Sequence, residues 1–558
     1  MIDLSLKRLT FAGAVLLLAG CASPAKQPTA AAISTPEASL LYNTLVAEMA
    51  GHHGDLGESV RYYRKVIHES NQPSILRRAV RIMMFAKDYA AAAEAMGKWL
   101  ELAPENMEAH QLAAMIALFQ KDSIAASRHL EWMLAHSGKQ GFKVLAAFLD
   151  RLNQPDLALA AMESILSRHA DNADAQILYA RLAFDSGDYE KSRLAASRAV
   201  DLNPAHTEAQ IIHTRSRIES GEVEQSLTDL AAVVNRYPKN HDLRLGYARL
   251  LVTSSRFESA VEQFEVLIKA APDNVDLLYS TALVMLQIKR FSDAERHLEK
   301  LTTMPGHRQA ARYYLGKLEE DRKNFEKALA WYQQVEEGTL YVESQMSAAR
   351  IQAKSGDVGM AREVYQRLRQ SHKQMATKIW LGESEMLGAI KQYNAAYELL
   401  NQAVGLNPDD MDLLYSRALA AEKVGRIDIL ERDLKKVLTK DPKHAHALNA
   451  LGYTLADRTD RYAEALEYIK RALELAPTDP AIIDSMGWVL YRMGRQEEAL
   501  TYLRRAFANF RDGEIAAHLG EVLWVSGREE AAIEIWDKAL DTHPDSEVLL
   551  DVIRRFNP

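Results

Sequence analysis

Cysteine, histidine and the carboxylates are the residues here with chemistry to offer, and their placement is uneven. One cysteine, Cys21, occurs in 558 residues. It closes the stretch "VLLLAGC", at the end of an apolar run from Leu9 to Gly20 that follows Lys7 and Arg8. A lone thiol forms no intrachain disulfide and no multi-thiolate metal site. The histidines are no better placed for metal. His52 and His53 are adjacent, so on a helix they diverge by about 100°, and His444 and His446, two apart, fail likewise. No His-Glu-x-x-His helix, no Gly-x-x-x-x-Gly-Lys-Ser/Thr phosphate loop and no Gly-x-Ser-x-Gly elbow occurs. The carboxylates read as solvated helix faces with partners four residues away. No catalytic residue, metal site or cofactor is expected.

Cys21 has a different chemistry. The apolar run before it is too short to span a bilayer but has the length of a signal-peptide core. Leu18-Ala19-Gly20-Cys21 resembles the lipobox of bacterial lipoproteins at all four positions. The resemblance implies cleavage before Cys21, a diacylglycerol on its sulfur and an acyl chain on the new amino group. Each buried methylene adds roughly 0.8 kcal/mol, so three chains anchor far more firmly than one. Ala22 and Ser23 follow, with no aspartate after the cysteine, which in such lipoproteins implies the periplasmic leaflet of the outer membrane. Pro24 to Pro36, rich in Ala, Pro, Thr and Ser, reads as a disordered tether reaching about 45 Å.

Composition narrows the rest. Hydrophobic residues are 48% and charged residues 26%, ordinary for a folded soluble chain. The net charge is −8, and removal of residues 1–20, with Lys7, Arg8 and Asp3, makes it −9. A mildly acidic chain argues against nucleic acid as a partner. No small-molecule substrate is expected either.

A repeat organises the body of the chain. Pro204, Pro238 and Pro272 are 34 residues apart, Pro408 lies four such steps further on, Pro442 and Pro477 follow after 34 and 35, and Pro544 after 67, close to two more. Gly187, Gly221, Gly425, Gly494 and Gly527 fall near the midpoints, between segments with helical spacing of apolar residues. Such a period signals stacked units, each a helix, a turn and a helix. The unit resembles the tetratricopeptide repeat. In "AIIDSMGWVLYRMGRQEEALTYLRRAF", Ile483, Met486, Gly487 and Leu490 fall on the first helix, and Ala499, Leu503 and Ala506 on the second. The fold expected is an all-α tetratricopeptide-repeat solenoid, a right-handed superhelix of about fifteen helical hairpins. The divisions expected are 1–20 signal peptide, 21–38 lipidated cysteine and tether, 39–172 divergent helical repeats, 173–546 regular array and 547–558 capping helix. Residues 141–172 are about two short of the register.

A solenoid without a catalytic cluster works by its surfaces, and the first helix of each unit lines the concave side. In the C-terminal units that side carries Asn449, Tyr453 and Asp457, then Asp484, Trp488, Tyr491 and Arg492, then His518, Glu521 and Trp524. Aromatics interleaved with charged and amide groups suit a peptide groove. Trp488 and Trp524 are expected to face it, so that their loss weakens binding with little change in melting.

Residues 448–524, from "LNALGYTLADRTDRYAEALEYIKRALEL" to "AAHLGEVLW", are also similar to the C-terminal signature of a proteobacterial lipoprotein family. The N-terminal "LLYNTLVAEMAGHHGDLGESVRYYRKVI" shares the likeness. That family includes the outer-membrane adaptor of a periplasmic carboxyl-terminal processing protease. The resemblance implies a non-enzymatic scaffold that binds this serine protease and its protein substrates, mainly peptidoglycan hydrolases. A structural lipoprotein of an exopolysaccharide or envelope assembly machine is the alternative. An enzyme would need an added α/β domain, and no alternation of strand and helix is present.

Overall fold

The computed structural model describes residues 35–152 and 154–556. Cys21, the expected signal peptide and nearly all of the expected tether lie outside the described residues. Among those described there are 31 α-helices, two short 3₁₀ turns and no strand. In chain order thirty of the helices fall into fifteen successive pairs joined by short turns, and Glu547–Phe556 follows as a last single helix.

Local chemistry fixes where the helices begin. Asp88 accepts a hydrogen bond from the Ala91 N–H at 3.0 Å, and Asp122 from the Ala125 N–H at 2.8 Å. Asn172, Asn240 and Asn274 do the same at the starts of first helices. Each such cap contributes about 1 kcal/mol by satisfying an N–H that has no partner inside its helix. Thr35 caps a helix that begins at Pro36, whose ring presets the first-turn φ. The tether expected to run to residue 38 therefore ends earlier.

Between the two helices of a hairpin the chain turns through the left-handed region. The five glycines noted in the sequence have φ between 75° and 94°. At other hairpins the same turn is made by Lys87, Lys121, Ser255, Lys289, Lys323 and Lys391, with φ of 58–64°.

Packing divides the chain into two units, one ending at Leu267 and the other starting at Ile268. The division expected at 172 is one of repeat type, between divergent and regular hairpins, and it falls inside the first of these units. In the first unit one apolar cluster runs from Ala114 through Leu145, Ile165 and Tyr179 to Ile212, so the divergent and regular hairpins share a core. The register slip at 141–172 is absorbed locally: a 3₁₀ turn, Gly138–Gln140, leads into a shortened helix, Gly141–Leu152.

In the second unit a single cluster extends from Val342 to Val552. Small residues allow its helices to close. A Cβ added at Gly487 would sit 2.5 Å from Leu503 Cγ and 3.1 Å from the Ala499 carbonyl. Gly520 faces the Trp536 indole with no room for a side chain. A paired charge is built into the same unit: Arg417 grips Asp433 through two hydrogen bonds of 2.6 and 2.9 Å, both residues buried.

Candidate functional site: a polar and aromatic cluster in the C-terminal hairpins

Three first helices of consecutive hairpins carry the candidate residues: Ala445–Arg458, Pro480–Arg492 and Gly513–Val525. Their starts are fixed by caps. The His444 ring accepts from the Ala447 N–H at 3.2 Å, Asp479 from the Ala481 and Ile482 N–H groups, and Asp512 from the Glu514 N–H at 2.8 Å. Asn449 and Asp484 each stand five residues after their caps, and His518 stands six after Asp512, one position further along its helix.

The structure joins these residues into one network. His518 Nδ1 lies 2.8 Å from Asp484 Oδ2. His518 Nε2 lies 3.4 Å from the Tyr453 hydroxyl, which donates to Glu514 at 3.2 Å. Trp488 stacks on the His518 ring, centroids 4.2 Å apart at 24°. Its Nε1 donates to Asp457 Oδ1 at 3.2 Å. Arg492 donates to the Asp457 carbonyl at 2.9 Å and to the Tyr462 hydroxyl at 3.1 Å. Tyr491 donates to Glu521 at 3.2 Å, and Glu521 is also ion-paired with Arg555.

Burial sets the electrostatics. Asp484 and His518 are each 5% exposed. Burial alone would lower the His518 pKa. The Asp484 charge and hydrogen bond, with the charges of Glu514 and Glu521, more than offset this and raise it. The Tyr453 phenol is pushed far up by burial and the surrounding carboxylates, and Tyr491 up to about 12 by burial and Glu521. Both ring nitrogens of His518 are engaged, so neither is offered to a nucleophile. Two acceptors stay open: Asn449 Oδ1 and Asp484 Oδ1 are buried with no hydrogen-bond donor in reach.

The tryptophans are less exposed than a groove-facing ring would be. Trp488 is 7% exposed, held between His518 and Asp457. Trp524 is half-buried and packs toward Trp536, at 5.7 Å, and Phe556 of the last helix, at 6.3 Å. Each ring packs against other rings: Trp488 on His518 of the next hairpin, and Trp524 near Trp536 of its own hairpin and Phe556 of the last helix. Asn449, Tyr453, Asp457, Tyr491 and Arg492 are half-buried, while Glu521 is buried with Asp484 and His518. Glu514, Tyr462 and Arg555 complete the network without standing out in the sequence, since each is an ordinary charged or aromatic residue until its neighbour is known.

Tetratricopeptide-repeat family profiles match residues 149–207, 279–339, 415–480 and 485–547, and a second such profile matches 217–284. Together these stretches cover more than half of the chain. The chain is a tetratricopeptide-repeat protein. Its array is therefore a scaffold for protein–protein contacts. The TPR repeat-containing protein PA4667 of Pseudomonas aeruginosa is 42% identical over 212 residues, 38% of this chain and 36% of that protein. Small glutamine-rich tetratricopeptide repeat-containing protein 2 of Mycosarcoma maydis is 33% identical over 92 residues, 16% of this tetratricopeptide-repeat chain and 26% of the relative. The chain thus spans about a third of the length of the first of these relatives and about a quarter of the second. Among solved structures, yeast Tom70 aligns over 93% of this chain and 95% of its own, at 14% identity and a TM-score of 0.36.

Proposed function

We propose that this tetratricopeptide-repeat chain is a non-enzymatic adaptor, anchored through Cys21 in the periplasmic leaflet of the outer membrane. It holds a periplasmic carboxyl-terminal processing protease beside that protease's substrates, peptidoglycan hydrolases among them. The observation that carries the scaffold part is the succession of fifteen helical hairpins among the described residues from Pro36 to Leu540, whose helix faces are available for protein contacts. The lipobox at residues 18–21 and the signature blocks within 448–524 support the anchor and the partner.

A scaffold accelerates a reaction between two clients by raising their local concentration to roughly millimolar. Purified protease, substrate and scaffold test this. The degradation rate should rise with scaffold and then fall at excess, when the clients occupy different scaffold molecules. A rate flat across the titration refutes it. Cys21→Ser tests the anchor separately: that variant should leave the outer-membrane fraction, and unchanged fractionation without a bound partner would refute the lipid anchor.

A further inference from the structure

Within the first unit, three first helices carry the same pattern: Ala173–Asp185, Thr207–Glu219 and His241–Thr253. Arg181, Arg215 and Arg249 stand 34 residues apart, each four residues before the end of its helix. Asp174, Glu208 and Asp242 form a parallel row in the first turns, and Ile177, Ile211 and Leu245 a third row between them. A cavity of about 490 Å³ opens across these rows, lined by Ile211, Leu245 and all three arginines. A second hollow, of about 330 Å³, shares Arg181 and Glu208 with it, so the two form one trough.

The acidic row has a structural reason, because carboxylates in a first turn are favoured by the helix dipole. The arginine row has none, since it lies before the last turn of each helix. Arg181 is spent in part on Asp150, at 3.0 Å, and on Glu208 of the next first helix, at 3.9 Å, yet its Nε is buried without an acceptor. Arg215 rests on the Phe184 ring at 4.1 Å and has no carboxylate partner among the described residues. Arg249 is exposed and has no hydrogen bond or ion pair among the described residues.

Dimensions choose the shape of the occupant. Seven residues of helix separate each acid from its arginine, about 10.5 Å at 1.5 Å per residue. An α-helix with its side chains is about 10–12 Å across, which fills that width. Neighbouring first helices pack at roughly 8–10 Å, close to two turns of a guest helix at about 10.8 Å. A guest side chain seven residues along thus meets the next arginine.

We propose that this trough docks one amphipathic α-helix of a partner protein, its apolar stripe on Ile211 and Leu245 and an acidic flank on the arginine row. The proposal rests on the scaffold role of the repeats and not on the identity of the protease. The full chain is titrated by fluorescence anisotropy with a labelled 21-residue helical peptide of three heptads, bearing leucine on one face, glutamate on one flank and lysine on the other. The double variant Arg215→Glu, Arg249→Glu, shown to be folded by circular dichroism, should bind it at least tenfold more weakly. A second peptide with lysine on both flanks should reverse the order and bind the variant at least tenfold more tightly than the parent. A third peptide, of the first composition but broken by a central proline, should lose at least tenfold on the parent. Equal affinity of parent and variant overturns the proposal, as does no binding at millimolar peptide. So does equal binding of the proline peptide, which would mean an extended guest. Self-association of the parent that the variant abolishes would mean a second copy of this chain and also overturns it. The readout is peptide affinity, so a failure here leaves the protease reading to its own degradation assay.

Discussion

Trp488→Ala is the substitution that best separates a packing role from a binding role. The ring is 7% exposed, stacks on His518 and donates to Asp457. Truncating a buried tryptophan removes transfer free energy and leaves a cavity, together about 3–5 kcal/mol. Trp488→Phe keeps a stacking ring and loses only the donor. Asp457 retains Arg458 at 3.0 Å and Arg492 at 3.7 Å, so that loss is about 1 kcal/mol. In a repeat array the damage stays near its origin, because each hairpin touches only its neighbours. Amide hydrogen exchange reads this locally. At 1.4 kcal/mol per factor of ten, exchange in Ala445–Arg458, Pro480–Arg492 and Gly513–Val525 should quicken by roughly a hundredfold to a few thousandfold in the alanine variant. Phenylalanine should give about fivefold, and helices of the first unit should not change. If exchange in those three helices is unaltered while affinity for a client falls, the tryptophan is a contact residue and the packing argument fails.

Three further outcomes follow from the same geometry. The raised His518 pKa stabilises the fold fully below its ordinary value of about 6.5, and the contribution is lost as pH rises through the raised value. Exchange in the C-terminal hairpins should therefore quicken from neutral to mildly alkaline pH beyond the intrinsic rate, and His518→Gln should remove that extra slope. Gly520→Ala drives a methyl into the Trp536 indole and should cost about 1–3 kcal/mol in urea denaturation. Gly388→Ala, with no heavy atom within 4 Å of the added carbon, should gain about 0.5–1 kcal/mol. Arg417→Ala leaves the buried Asp433 carboxylate with only Arg432, at 3.1 Å, and should cost about 3–5 kcal/mol, whereas Arg417→Met with Asp433→Leu should recover most of it.

The hairpins were legible because their signals are local. Gly487 and Ala499 fall at the close contact of their two helices, as small residues at that spacing require. The turn was legible only where it is made by glycine. Lys121 and Lys289 make the same turn at a cost of about 1–2 kcal/mol, which the packing of two helices outweighs and which leaves no mark in composition. The unit boundary was not legible, because a two-residue slip at 141–172 looks like a domain edge in the sequence and is only a shorter helix in space. Trp488 shows the limit most clearly. Helical periodicity chose its face correctly, but whether that face meets water depends on His518, thirty residues away. The arginine row is present at constant spacing, yet a charge at a repeat position is uninformative until the absence of its partner is known.

The two polar faces differ in what they can give a partner. In the C-terminal cluster nearly every donor and acceptor is already engaged, and a guest competing for Asp457 or Glu521 would first break a bond about as good as the one it forms. The unpaired oxygens there, Asn449 Oδ1 and Asp484 Oδ1, are themselves buried, so a guest reaches them only by displacing the side chains that cover them. In the first unit Arg215 and Arg249 have no carboxylate to give up. An acidic guest meets them with Coulomb attraction that is not offset by a broken pair, and with a screening length of about 8 Å at physiological salt that attraction steers the encounter as well as holding the complex. The same repeat position therefore serves cohesion at one end of the chain and recognition at the other, and the difference lies in whether the neighbouring hairpin supplies the opposite charge.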